Sequence, residues 1–435
     1  MLKARYIPLL LLLSSGSCLY AAESTSAFML PDFDATSGFD ASSEMEPEEV
    51  KKADPTSPWR NTLAYDSGWK ASTGSLSVNR LSWRIQWEGL VGKDNYLVLD
   101  SKARLFAEDD QQNSLSSGSE SELKLNALYL QKSLTSSSLR VGYQVISLGM
   151  MDMLGFNNVL TPLDYSEADF TAPEDARIGQ AIIAWSYFAK QGQWDLYFNP
   201  APDRNSYLAG TEENLCAGSC TIQNGLPNAF EQTETVLRRS WVEGLHEHQW
   251  LLASLLQNDP TLVLVDPMAS QQIFSATYPR YNMLAYGHSY TSGNHQLKQE
   301  LALKQGIQPL DALGMKLDQA ELILGWEYSA NGAYTLAIEI EYQDRRFIEH
   351  VPASIEKSLN QTAVSLTKSY LHDSLKATIY SSYASLGEIT TTAMSFNYSP
   401  RDNWHINLTI TETESKANGI AVIPSNTSLR LSYIW

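Results

Sequence analysis

The strongest constraint on this chain is a period-two alternation of apolar and polar residues that recurs along most of its length. In "RLSWRIQWEGL", Leu81, Trp83, Ile85 and Trp87 fall on one face, and Ser82, Arg84, Gln86 and Glu88 on the other. Successive side chains of a strand point to opposite faces, so the run reads as a strand with one apolar side. A turn at "VGKDN" follows. The next run, "YLVLDSKARLF", sets Leu97, Leu99, Ser101, Ala103 and Leu105 against Asp100, Lys102 and Arg104. No stretch of helical period competes with this pattern. After the first residues no run of 18 apolar residues occurs, so a membrane-spanning helix is not expected.

Hairpins repeat in the same style. "ELKLNALYLQK" and "LRVGYQVISLG" are joined by "SLTSSS"; "QAIIAWSYFAK" turns through "QGQ" into "WDLYFN"; "TVLRRSWVEG" passes through "LHEH" to "QWLLASLLQ". "AELILGWEYSA" turns at Asn331-Gly332, a strong two-residue hairpin signal. Further hairpins turn at His372-Asp373 and at "PRDN", and the closing run is "TSLRLSYIW". The reading is all-β: a single antiparallel barrel of about 16 strands (range 14–18), spanning residues 59–435, many of them near the ~9–11 residues that cross a bilayer at a tilt. A first strand is expected near Trp59 to Tyr65. Tight turns alternate with long connections at 107–121, 148–177, 200–232, 345–360 and 414–425, the outer-membrane pattern of short periplasmic turns and long external loops.

Alternation alone also suits a soluble sandwich or β-helix. Two features favour the membrane barrel. Trp87, Trp185, Trp194, Trp241, Trp250, Trp326 and Trp404 sit near strand ends, where interface girdles lie. The polar faces carry Arg, Lys, Asp and Glu in mid-strand, as a wet lumen permits. The net charge of −18 sets nucleic acid aside as a partner.

The N-terminus has the form of an address label. Lys3 and Arg5 precede a short apolar run from Ile7 to Leu13, and a secretory signal of residues 1–22 is expected, cut near Ala21 or Ala22. Cys18 raises a lipoprotein alternative, against which Ser15 stands where a large aliphatic belongs. Residues 23–58 form an acidic leader, with eight carboxylates against two lysines between Pro31 and Asp54, expected to be disordered. The apolar knot "AFMLPDFD" inside it is either a chance cluster or a segment that docks in the lumen or on a periplasmic partner. Once the signal is removed, Cys216 and Cys220 remain and read as one disulfide closing a small loop.

The terminal "LRLSYIW" resembles the closing-strand signal of Gram-negative outer-membrane barrels. That resemblance implies that Leu429, Leu431, Tyr433 and Trp435 face lipid and are read by the barrel assembly machinery. The stretch from Leu139 to Phe188 resembles a proteobacterial family of porin-like barrels with a domain of unknown function, akin to alginate-export barrels. Arg140, Gly142 and Gln144 match its Arg-x-Gly-x-Gln element, and Glu174-Asp175-Ala176-Arg177 its last element. Leu148-Gly149 and Thr161-Pro162-Leu163-Asp164 stand where Trp-Gly and Asn-Pro-x-Asp are usual. The resemblance implies an outer-membrane channel or export conduit, for small solutes or lipophilic compounds.

The residues add what its wall would be. Arg84, Glu88, Asp100, Lys102, Arg104, Arg140 and Gln144 are the lumen-lining candidates, offering opposed charges that orient dipolar solutes. Asp152, Asp164, Glu167, Asp169, Glu174, Asp175 and Arg177 lie on a loop long enough to fold inward as a constriction. The same loop could instead stay outside and bind divalent cations that bridge to lipopolysaccharide. Lining the path, its carboxylates would favour cations. An alternative role is a partner-binding barrel whose leader docks a periplasmic or inner-membrane transport component. Catalysis is not expected: "YGHSYTSGNH" carries His288, Ser289, Ser292 and His295, yet reads as a hairpin turn rather than the phospholipase pattern. His246 and His248 read as solvated turn residues, with no metal or cofactor expected.

Overall fold

The computed structural model describes residues 58–435 apart from 93, 109, 111–120, 155–158, 165–175, 207–219, 225–231, 265–271, 310–314, 331–335, 349–350, 352–355 and 416–424. The signal sequence, the leader up to residue 57, the turn at Asn331-Gly332, and Glu167, Asp169, Glu174, Asp175 and Cys216 lie outside the described residues. So does the expected pairing of Cys216 with Cys220.

Numbered in chain order, the strands begin with β1 (Trp59–Lys70), β2 (Leu76–Val91), β3 (Asn95–Phe106), β4 (Ser121–Ser133), β5 (Ser137–Gln144), β6 (Gln180–Ala189) and β7 (Gly192–Asn199). They continue with β8 (Cys220–Asn224), β9 (Glu234–Glu243), β10 (His246–Leu256), β11 (Thr261–Leu264), β12 (Gln272–Thr277), β13 (Arg280–Ser292) and β14 (His295–Ile307). The last are β15 (Leu317–Ala330), β16 (Leu336–Phe347), β17 (Ser358–Tyr370), β18 (Leu375–Ala384), β19 (Ile389–Arg401), β20 (Trp404–Glu414) and β21 (Asn426–Ile434). Eighteen of them form one sheet in which each strand pairs antiparallel with its successor. β7 passes directly to β9 and β10 to β13, and β21 returns to β1, closing the barrel. The other three, β8, β11 and β12, form a small mixed sheet in the loops after β7 and β10.

The barrel thus has 18 strands rather than about 16. The two that the sequence reading leaves out are β13 and β14. Inward-facing Tyr281, Met283, Ala285 and Ala302 are apolar and buried, while Leu284, Leu301 and Leu303 on the outward face are apolar and exposed. On β13 both faces are largely apolar and the period-two contrast fades, whereas on β14 the inward Lys298, Glu300 and Lys304 still alternate with outward leucines. Elsewhere the contrast is sharp: Leu81 and Trp83 are exposed outward, and Ser82, Lys102 and Arg104 are buried inward.

Closure is what removes the open sheet edge. Across the seam Tyr65 faces Leu431, and Asp66 faces Arg430. Leu429, Leu431 and Tyr433 share the outward face of β21, and the Arg430 guanidinium reaches Asp66 inside at 3.2 Å. One end of the barrel has short turns, such as Lys190-Gln191, Gly244-Leu245 and Asp402-Asn403, and also carries Trp59 and Trp435. The other end carries the long connections. In the connection between β5 and β6 the described residues 146–154 and 159–164 lie inside the barrel.

Candidate functional site: the lumen and its inward loop

The element that defines the lumen is the loop after β5. Its base is tied by one side chain: Ile146 N–H donates to Thr161 Oγ1 at 3.1 Å, and that hydroxyl donates to the Ile146 carbonyl at 2.8 Å. From this base the chain turns inward, and Leu148, Met151, Met153, Leu154 and Leu160 are all buried. They join Ile182, Val236, Leu251, Leu255, Met283 and Ile323 of the wall in one apolar cluster. Burying such side chains is worth roughly 1.5–3 kcal/mol each.

Polar groups fix the loop's apex. Glu341 of β16 receives three successive backbone N–H groups: from Asp152 at 2.8 Å, from Met153 at 3.2 Å and from Leu154. Glu300 of β14 receives the N–H of Met150. Buried backbone donors must find acceptors, and here two wall carboxylates take them. Asp152 in turn pairs with the Lys298 ammonium, which also lies 3.1 Å from Glu327 and 3.4 Å from Glu339. The carboxylates of Asp152, Glu339 and Glu341 come within 4.8 Å of one another, a spacing that could hold a cation; Lys298 already supplies a positive charge beside Asp152 and Glu339.

Two glycines make the room. A Cβ on Gly325 would lie 2.9 Å from the Met151 sulfur, and one on Gly287 would lie 3.1 Å from the Met150 sulfur. A side chain at either point of the wall would meet the loop.

A second wall, formed by β2, β3 and β4, is rich in cations. Arg84 forks onto Asp100, with Nε at 2.8 Å from Oδ1, and Gln86 and Asn126 also donate to that carboxylate at 3.3 Å. Arg80 pairs with Asp110 at 3.3 Å. Arg104, whose side chain is fully buried, pairs with Glu122 and approaches Asp164 at 3.9 Å. Lys124 reaches Asp164 at 3.2 Å. Lys102 is buried in the same row.

The loop therefore spans two charged walls, with Asp164 at its base on the β3–β4 side and Asp152 at its apex on the β14–β16 side. These two carboxylates, expected to bias the path toward cations, are engaged by wall lysines. Arg177 sits beside Leu163 in a bridge at the loop's return, where burial lowers its pKa from the ordinary value.

The other sequence candidates are distributed differently. Glu88 is exposed near the turn end, away from the loop. Arg140 stacks over Tyr129 with its guanidinium carbon 6.0 Å from the ring centre. Gly142 has φ 138°, and a Cβ there would come 2.2 Å from the Leu128 carbonyl oxygen, so the middle of the Arg-x-Gly-x-Gln element requires glycine. Gln144 is buried, donating to the Ile182 carbonyl at 3.0 Å, and supports the loop from beneath. His288 and Ser289 point to opposite faces of β13, so they form no nucleophile–base pair. The groups missed by the sequence reading are Arg80, Asp110, Glu122 and Lys124 on the β2–β4 side and Lys298, Glu300, Glu327, Glu339 and Glu341 on the β14–β16 side. For Lys298, Glu300, Glu339 and Glu341 the signal was present, as charges at alternate positions in "QLKQELALKQ" and "LAIEIEYQ".

No protein-family model and no curated protein sequence matches the chain. Among solved structures the fold is similar to OpdK of Pseudomonas aeruginosa with vanillate, at a TM-score of 0.55 and 9% identity, covering 87% of this chain and 98% of that one. It is also similar to Pseudomonas aeruginosa OccK9 (OpdG), at 0.54 and 10%, covering 86% and 97%. A third likeness is to Acinetobacter baumannii OccAB4, at 0.52 and 10%, covering 87% and 97%. The class that fold and lumen define is a closed, 18-stranded porin-like β-barrel.

Proposed function

We propose that this protein is an outer-membrane channel that passes small dipolar solutes through a lumen narrowed by the described loop residues 146–154 and 159–164. The observation that carries this reading is the loop itself, held inside a closed barrel by carboxylates and a lysine of β14–β16 and by cations of β3–β4. A cation-rich wall and a carboxylate-rich wall in one lumen set up a field across the path, which orients a solute bearing both signs of charge. OpdK, of like fold, is described with vanillate; the stripe of Arg80, Arg84, Lys102, Arg104 and Lys124 offers a carboxylate partners of the right charge. A finer kinship with alginate-export barrels is proposed on the Arg140–Gln144 and Glu174–Arg177 elements.

Planar-bilayer recording of the purified, folded barrel is the test. Discrete conductance steps are expected, smaller than those of an unobstructed barrel of this strand number. Absence of current would overturn the channel reading. It would favour the second one, a partner-binding barrel, for which the apolar packing of Leu148, Met151, Met153 and Leu154 across the lumen speaks. Co-purification of a periplasmic or inner-membrane component with and without residues 23–58 then decides that case.

A further inference from the structure

The outward face of the barrel carries a polar cluster at its turn end, on β7, β9, β10, β13 and β14. The strand register aligns three rows there. One row runs Trp194, Arg239, Trp250, Tyr286; the next runs Trp241, His248, His288, Gln299; the third runs Glu243, His246, Tyr290, Leu297. These positions alternate with inward-facing buried residues such as Asp195, Gln249, Leu251 and Ser289. On the loop side of the cluster, Leu196, Leu252, Leu284, Leu301 and Leu303 are exposed, as a lipid-facing belt requires.

Arg239 is the unusual member. Its guanidinium carbon lies 5.2 Å from the Trp194 ring and 5.1 Å from the Trp241 ring. Two tryptophans thus hold a fixed cation at the height of the aromatic girdle. No carboxylate among the described residues pairs with it. Beside it three imidazoles stack: His248 on Trp241 at 5.0 Å, His248 on His288 at 4.8 Å and His246 on His288 at 5.2 Å between ring centres. Gln299 Nε2 lies 3.0 Å from His288 Nδ1, and His288 Nε2 lies 3.0 Å from His246 Nδ1. The amide nitrogen can only donate, so His288 Nδ1 accepts and its Nε2–H donates onward. His246 then carries its proton on Nε2, an exposed donor that ends the chain. The ring planes lie within 14–24° of parallel in these His–His contacts, so their nitrogens do not converge on a common metal position. Glu243, at the turn tip, is the only carboxylate on the three rows.

We propose that this cluster binds the headgroup of an anionic phospholipid in the leaflet at the turn end, with Arg239 as the charged contact to its phosphate and His246, two rows nearer the turns, as a hydrogen-bond donor to the rest of the headgroup. The assignment rests on the outer-membrane reading above. Charge complementarity selects the occupant: a guanidinium without a counter-ion among the described residues, set among interface aromatics beneath an apolar belt, matches an anion tethered to acyl chains. A second copy of the chain would have to bring a carboxylate to the same place.

The test uses the full mature barrel in detergent, examined by native mass spectrometry with phosphatidylglycerol, phosphatidylcholine and inorganic phosphate as separate probes. One cation near a membrane surface is worth about 1 kcal/mol, or about fivefold. Wild type should retain phosphatidylglycerol about fivefold over phosphatidylcholine, with inorganic phosphate failing to displace it. Arg239→Gln should abolish the preference, and His246→Gln should lower it about twofold. Lys132→Gln, which removes an outward cation at the turn end of β4, should leave it intact. Arg239→Lys keeps the charge, so a fold preserved only in that variant still gives a reading: preference retained supports the site, preference absent overturns it. Equal retention by wild type and Arg239→Gln overturns the site. So does displacement by free phosphate, or lipid-independent dimers that Arg239→Gln dissolves. Failure of the barrel to insert into any vesicle would instead defeat the membrane reading; insertion without headgroup preference defeats only this one.

Discussion

Asn61 and Trp435 close the barrel by a reciprocal pair of backbone hydrogen bonds, each 3.0 Å long, in which each residue donates its N–H to the other's carbonyl. The Trp435 ring stacks on Tyr433 at 5.8 Å between centres. Backbone and ring thus contribute separately to the seam. Deleting Trp435 removes both, at about 0.5–1.5 kcal/mol net for each hydrogen bond and about 0.5–1.5 kcal/mol for the aromatic pair. Trp435→Ala removes the ring alone, and Trp435→Phe keeps most of it. Yields of heat-modifiable barrel should therefore fall in the order Trp435→Phe, Trp435→Ala, deletion. Wild-type yields from all three would show that the terminal ring is not needed for insertion.

Glu341 should act as the latch of the inward loop. It accepts three consecutive N–H groups, and charge-assisted hydrogen bonds are each worth roughly 1.5–3 kcal/mol. Glu341→Ala leaves the amides of Asp152, Met153 and Leu154 without an acceptor in an apolar cluster. The apex is then expected to leave the wall, raising single-channel conductance and exposing the loop to protease. Glu341→Gln, which retains one acceptor oxygen, should give a smaller and noisier increase. Conductance identical to wild type in Glu341→Ala would mean that the loop does not set the bore.

The legibility of this molecule followed a physical boundary. Strands β2 and β3 could be read directly, because their inward faces carry the charged Arg84, Asp100, Lys102 and Arg104 against an outward row of leucine and tryptophan. Strand β13 could not. Its inward face meets the loop, and Tyr281, Met283 and Ala285 supply the apolar surface that it needs. The carboxylates of the loop were visible, but not their use. Asp152 is separated from Lys298 by 146 residues, and Asp164 from Lys124 by 40. Closed barrels bring such positions together through register, which local pattern does not encode. Gly287 and Gly325 were silent for a related reason: an absent side chain signals close approach, but only the fold says of what.

Those glycines yield the next expectation. At Gly325 an added Cβ would meet the Met151 sulfur at 2.9 Å, the far end of a flexible side chain. A methyl group can be accommodated if Met151 turns away, whereas a larger branch cannot without moving the backbone. Gly325→Ala should thus change conductance little, and Gly325→Leu should displace the apex and raise it, approaching the effect of Glu341→Ala. The double variant Gly325→Leu, Glu341→Ala should add little further, since both act on one element. Full additivity in single-channel current would show that they act on different ones.

The cation-rich wall should govern which ions pass. Arg84 forks onto Asp100 and keeps about a quarter of its side-chain surface accessible, at 25%. Asp100 also receives Gln86 and Asn126. In Arg84→Gln the carboxylate therefore remains hydrogen-bonded, and the wall loses one positive charge without an orphaned partner. Two unit charges about 4 Å apart in water interact by about 1 kcal/mol, which bounds the change in the cation-to-anion permeability ratio at about fivefold. Reversal potentials in a salt gradient should shift toward the cation limit, and the shift should shrink as ionic strength rises and screening shortens to ~3 Å at 1 M. Asp100→Asn should shift them the opposite way. A reversal potential unmoved by both substitutions would place the permeation path away from β2–β4.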